Sequence, residues 1–190
     1  MLKKILAAVA VLILGFVGFV ATRPAEFAIE RKTTIAAPPA AIYPFLTDFR
    51  EWKKWSPWEA LDPNMTRTHE GAPSGTGAVY SWKGKDDVGE GRMTITEAKP
   101  AELVVIKLEF LKPFAATNTT TFKLTAGPQT EVVWKMEGTN GFLSKAFGVF
   151  ANMDKMVGAD FAKGLSTLKK VAPAAPAPAA APAAAPDRAA

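Results

Sequence analysis

Asp154 is the side chain whose setting points most directly to chemistry. Residues seven apart nearly eclipse on a helix, and here they read Phe147, Asp154, Phe161 and Leu168. A carboxyl group in that apolar stripe has two uses. It can pair with a cation or a backbone group, or it can face a cavity, where burial raises its pKa and suits it to hold a ligand's polar group or move a proton. Tyr80 is the one partner an acid–base reading offers it, since such chemistry needs two groups within hydrogen-bond reach of a substrate. Composition closes most other routes. There is no Cys, hence no thiolate nucleophile, disulfide or Cys-ligated metal. His69 is the sole histidine and has no partner visible in sequence, so it reads as surface or rim. No metal site and no cofactor are expected. Gly71, Gly75 and Gly77 flank Pro73 and Ser74 without the spacing or terminal Lys-Ser/Thr of a phosphate loop. The net charge of +5 is mild and contains no basic run, so no nucleic-acid partner is expected.

A second group of residues suits an apolar ligand. Trp52, Trp55 and Trp58 stand three apart in EWKKWSPWE and would share one helical face. They read as a packed lid over one end of the core or as an aromatic rim to a cavity. Arg92 and Glu90 fall in the phase opposite Met93 and Ile95 and belong to a solvated strand face.

Three segments position these residues. Ile5 to Ala21 runs 17 residues without a charge, behind Lys3 and Lys4. As a helix it spans about 25 Å, close to the ~30 Å hydrocarbon core. Residues 1–26 therefore read as a single-pass signal anchor in the cytoplasmic (inner) membrane, with the following domain on the periplasmic side. A cleaved signal peptide is the alternative, although Phe19-Val20-Ala21 is a poor cleavage site. Residues 171–190 contain 12 Ala and 5 Pro and read as a disordered spacer. Residues 27–170 form one domain.

Within that domain Phe27 to Ile35 alternates as a strand, and two short helices follow at Ala40–Leu46 and Phe49–Trp55. Six strand-like runs come next: Met65–Glu70, Gly77–Trp82, Gly89–Glu97, Leu103–Phe110, Ala115–Leu124 and Thr130–Glu137. From Phe142 to Lys170, apolar residues recur at steps of three and four, which predicts one helix of up to 29 residues. This order predicts an α+β fold, a curved antiparallel sheet of six to seven strands wrapped around a long C-terminal helix. Gly148, Gly158 and Gly164 make sense where that helix approaches the sheet or bends over it. Strand phase sends Ile106, Trp134 and the bulky pair Tyr80 and Trp82 inward, along with the polar Asn118 and Thr120. Buried polar groups need partners, and a ligand is one kind of partner.

The run Thr34-Ile35-Ala36-Ala37-Pro38-Pro39-Ala40-Ala41-Ile42-Tyr43-Pro44-Phe45-Leu46-Thr47-Asp48-Phe49, followed by Trp52, Trp55, Ser56, Pro57 and Trp58, resembles the opening of the SRPBCC (START/Bet v 1-like) superfamily. More narrowly it resembles the bacterial polyketide cyclase/dehydrase and lipid transport-type group. Gly75-x-Gly77 and the stretch from Asn152 to Gly158 are similar too. The resemblance implies a helix-grip fold with a hydrophobic cavity between sheet and helix, and it transfers no catalytic residue.

Three functions fit. The leading one is a membrane-tethered domain that binds a hydrophobic or lipid-like small molecule. The expected ligand contacts are Trp55, Trp58, Tyr80, Trp82, Ile106, Asn118, Thr120, Trp134, Met153, Asp154 and Val157. The others are a cyclase or dehydratase using Asp154 and Tyr80, and a protein-interaction domain with an exposed Trp55/Trp58 patch. The oligomeric state is not legible.

Overall fold

A computed structural model describes residues 1–85, 88–150 and 152–173. Helix α1 (Leu2–Ala21) leads through four residues into strand β1 (Glu26–Ile35). Helix α2 (Pro39–Thr47) and two turns of 3-10 helix (Glu51–Lys54 and Pro57–Ala60) come next. Strands β2 (Thr66–Gly71), β3 (Ala78–Lys83), β4 (Glu90–Lys99), β5 (Leu103–Lys112), β6 (Ala116–Thr125) and β7 (Thr130–Thr139) follow. Helices α3 (Phe142–Phe147) and α4 (Met153–Val171) complete the described chain.

All seven strands join one antiparallel sheet in the order β1-β7-β6-β5-β4-β3-β2. From β2 onward each strand pairs with its successor, which short Pro- and Gly-bearing turns permit, and β1 closes against β7. The pairing of β4 with β5 slips between Glu90 and Gly91 and again between Ile95 and Glu97. Such irregularities bend a sheet, so its inner face can wrap α4. Period-two alternation buries Val104 and Ile106 on β5, Phe122 and Leu124 on β6, and Val132 and Trp134 on β7. Phe161, Leu165 and Leu168 bury the facing stripe of α4. This is the expected helix-grip architecture.

The predicted 29-residue helix is two helices. Gly148 ends α3, and Asn152 starts α4 by accepting a hydrogen bond from the Lys155 amide at 2.9 Å. That side-chain cap satisfies a donor that the first turn would leave unpaired. Leu143, Phe147 and Phe150 therefore continue the apolar spacing without sharing α4's partner, and all three are exposed. Of the three glycines, Gly158 and Gly164 lie where α4 approaches the sheet, against Arg31 of β1 and Trp134 of β7. A Cβ at Gly164 would lie 2.9 Å from the Trp134 ring and 3.0 Å from Pro57.

The predicted helix over Phe49–Trp55 is replaced by the two 3-10 turns, so Trp52, Trp55 and Trp58 do not share a helical face. Trp52 and Trp55 are buried and Trp58 is half-buried. At the C-terminus α4 extends to Val171 and Ala172 packs into the core. The rest of the Ala/Pro-rich segment, 174–190, lies outside the described residues.

Candidate functional site

Between the inner face of the sheet and α4 lies a cavity of about 290 Å³. Its walls are mostly apolar and rich in aromatic rings. Trp134 stacks on Phe161 of α4 at 4.1 Å between ring centroids, and Trp58 meets Trp134 edge to face at 5.7 Å. The Trp82 indole covers Gly91 on the neighbouring strand, where a Cβ would collide with it. Met65, Met93 and Met136 supply flexible thioether walls that adapt to ligand shape.

One polar cluster interrupts this surface. Glu59, from the second 3-10 turn, lines the cavity beside Tyr80. The Tyr80 hydroxyl donates to Glu59 Oε1 at 2.6 Å, and Arg67 Nε donates to Glu59 Oε2 at 2.7 Å. The Glu59 and Arg67 side chains are only 9% and 15% exposed, so this ion pair works largely out of water. Arg67 also donates to the carbonyls of Met65 (2.8 Å), Asp62 (3.3 Å) and Pro63 (3.3 Å), fixing the loop that carries Glu59. Burial, reinforced by the bond to Glu59, pushes the Tyr80 phenol well above its ordinary range. Tyr80 therefore stays protonated, commits its proton to Glu59 and turns oxygen lone pairs toward other donors.

Among the described residues, two buried side-chain nitrogens have no hydrogen-bond partner, Trp134 Nε1 and His69 Nε2. Trp134 is a cavity wall. His69 sits behind Tyr80, with ring centroids 5.2 Å apart. Burial, then the charges of Arg50 and Lys53, lowers its pKa.

Of the residues singled out from sequence, Trp58, Tyr80, Trp82, Thr120, Trp134 and Val157 line the cavity. Trp55 packs behind it, its indole N–H donating to the Phe45 carbonyl at 2.9 Å. With Trp55 buried and Trp58 half-buried, these residues form no exposed aromatic patch. Ile106 and Asn118 belong to the packed part of the core, and the Asn118 carboxamide lies over Gly138. Met153 lines a separate groove between the end of α1 and α3.

Asp154 is not a cavity residue. Its side chain is 56% exposed and forms a paired contact with Arg31 of β1, at 3.0 Å to each oxygen. The Arg31 guanidinium crosses α4 at Gly158, where any Cβ would collide with it. That hydrogen bond holds the Asp154 carboxyl below its ordinary range, opposite to the rise expected from burial. The Asp154–Tyr80 pair thus gives way to Glu59–Tyr80. Glu59 and Arg67 escaped the sequence reading. The inward phase of β2, which carries Arg67 and His69 opposite Trp82 and Tyr80, was the available signal.

Residues 26–173 match the family model described as polyketide cyclase / dehydrase and lipid transport. No curated protein sequence matches the chain. Among solved structures, protein CV1439 from Chromobacterium violaceum superposes with a TM-score of 0.56 at 14% identity, covering 76% of this chain and 96% of its own. A protein from Thermobifida fusca gives 0.56 at 18% identity, covering 75% and 90%. The di-domain ARO/CYC BexL from the BE-7585A biosynthetic pathway gives 0.57 at 16% identity, covering 84% of this chain and 54% of BexL, so the likeness spans about half of that protein. At these identities the likeness is one of fold.

Proposed function

This chain belongs to the polyketide cyclase / dehydrase and lipid transport family, and from that premise we propose that it is a membrane-tethered module that holds a hydrophobic small molecule between its sheet and α4. The observation that carries this reading is the largely apolar cavity with a charged, hydrogen-bonded pair at Glu59 and Tyr80. Large apolar pockets with few convergent polar groups suit ligands of that kind. At about 290 Å³ the cavity is near the lower end of ligand pockets, which fits one ring system or one acyl chain. The polar atoms narrow the class further. Glu59 and the Tyr80 oxygen accept hydrogen bonds there. The ligand is then an apolar body carrying a hydroxyl or similar donor. The tether is α1, one 20-residue helix long and apolar enough to cross a membrane and almost wholly exposed. Lys3 and Lys4 support an N-terminus on the cytoplasmic side and a domain outside, against Arg23, Arg31 and Lys32 beyond the helix.

Native mass spectrometry of the full chain released from detergent tests the reading. Adducts of apolar small molecules are expected, and they should vanish in Leu108→Trp, which fills the cavity. A consistently bare chain would reject the proposal.

The Glu59–Tyr80 contact favours one second reading, acid–base catalysis of the cyclase or dehydratase kind, because it puts a carboxylate and a phenol in one cavity. Tyr80 already gives its proton to Glu59, and no second acid–base pair lines the cavity among the described residues, so binding remains the preferred function.

A further inference from the structure

Strand register places Glu26, Thr139, Ala116, Lys112, Glu90 and Lys83 at one end of the sheet. The same end receives α1, because only four residues separate Ala21 from Glu26. It also carries α3, which lies against α1. Lys145 Nζ donates to the carbonyls of Arg23 at 2.9 Å and Ala21 at 3.2 Å, and Phe150 faces Phe16 with ring centroids 6.1 Å apart.

Exposed apolar surface collects at this end. Leu111 and Phe114 flank the β5–β6 turn, Phe142 and Phe147 belong to α3, Phe150 follows α3, and Met156 opens α4. Each is at least half exposed. At the opposite end the turns between β2 and β3, β4 and β5, and β6 and β7 present no large exposed apolar side chain. So one-sided a distribution marks a contact surface rather than random surface hydrophobicity.

The cavity leans the same way. Its strand residues sit at the middle of their strands or toward this end, and Val88 and Val157 complete its wall there. The other end is closed by packed Leu46, Trp55, Phe122 and Leu165.

We infer that this end of the domain rests on the bilayer that α1 enters, with α3 and the β5–β6 turn in the interface and the cavity mouth opening toward lipid. The inference rests on the reading of α1 as a membrane anchor. A bilayer fits because the patch is continuous with an apolar helix, and because aromatic and leucine side chains beside a membrane span bury themselves at the acyl boundary.

The chain contains no Cys, so single nitroxide labels are specific. Full-length Phe114→Cys, Phe147→Cys, Gln129→Cys and Leu12→Cys would be reconstituted into vesicles of phosphatidylethanolamine and phosphatidylglycerol. Collision with dissolved oxygen would then be compared with collision with a water-soluble nickel chelate. The expected result is several-fold oxygen preference at Leu12, Phe114 and Phe147 and nickel preference at Gln129. Oxygen preference at Leu12 with Phe114 and Phe147 behaving like Gln129 would overturn the docking inference and leave the anchor standing. Nickel preference at Leu12 would overturn the anchor and the inference together.

Discussion

Glu59 and Asp154 show how far a residue's role depends on what stands opposite it. Both are carboxylates facing an arginine, yet Glu59 is enclosed beside the cavity and Asp154 lies in solvent. Tyr80→Phe should cost about 1–3 kcal/mol, the range for losing a buried bond to a charged group, read from the denaturant midpoint. It should also weaken retention of hydroxyl-bearing ligands. Asp154→Asn should leave ligand occupancy unchanged in the same mass-spectrometric assay. His69 adds a pH dependence. Its folded pKa lies below the usual 6.5, so the unfolded chain takes up the proton first as pH falls. Stability should therefore drop as pH is lowered through about 6.5 and on toward the folded value. Denaturant midpoints at pH 5 and 8 should differ less in His69→Gln than in the parent chain, and equal differences would remove His69 as the cause. Strand phase made Tyr80, Trp82, Thr120 and Trp134 legible, because alternation fixes which way a strand residue points. Glu59 was not legible, because a residue in a 3-10 turn takes its direction from the loop that Arg67 staples.

At the scale of elements, α3 and α4 explain the main misreading. Apolar spacing of three and four reports that a face is greasy and is silent about what covers it. Leu143, Phe147 and Phe150 keep the rhythm of α4 but lie beside α1 and solvent. Asn152 followed by Asp154 was the competing signal, a capping residue with an acid in the first turn. The glycines of α4 separate cleanly. Gly164→Ala should destabilise by about 1–3 kcal/mol, the cost of overpacking, because Trp134 is held by Phe161 and cannot yield. Gly158→Ala should cost less, since it displaces the far end of a flexible side chain, and the loss of the Arg31–Asp154 pair is offset by a helix-propensity gain of about 1 kcal/mol. Chemical denaturation of the two variants decides. Equal losses would mean that helix–sheet distance is not what sets the difference.

The molecule as a whole was the most legible level. Strand count, antiparallel order and the sheet's grip on a last helix follow from alternation and turn chemistry, which are local. The cavity is not local, since it is bounded by Trp82, Leu108 and Val157 from three different elements, and no spacing encodes a gap. Occupancy should couple to folding. A ligand at 100 times its Kd would add about 2.7 kcal/mol of stability, seen as a higher Tm that Leu108→Trp abolishes. The join between α1 and β1 sets a further boundary on what this protein can accomplish. Four residues reach at most about 14 Å even when fully stretched. If α1 sits in a bilayer, as proposed, the curved sheet is moored there. On that reading it cannot ferry cargo across an aqueous gap, and its encounters with lipids and other anchored proteins are a search in two dimensions rather than three.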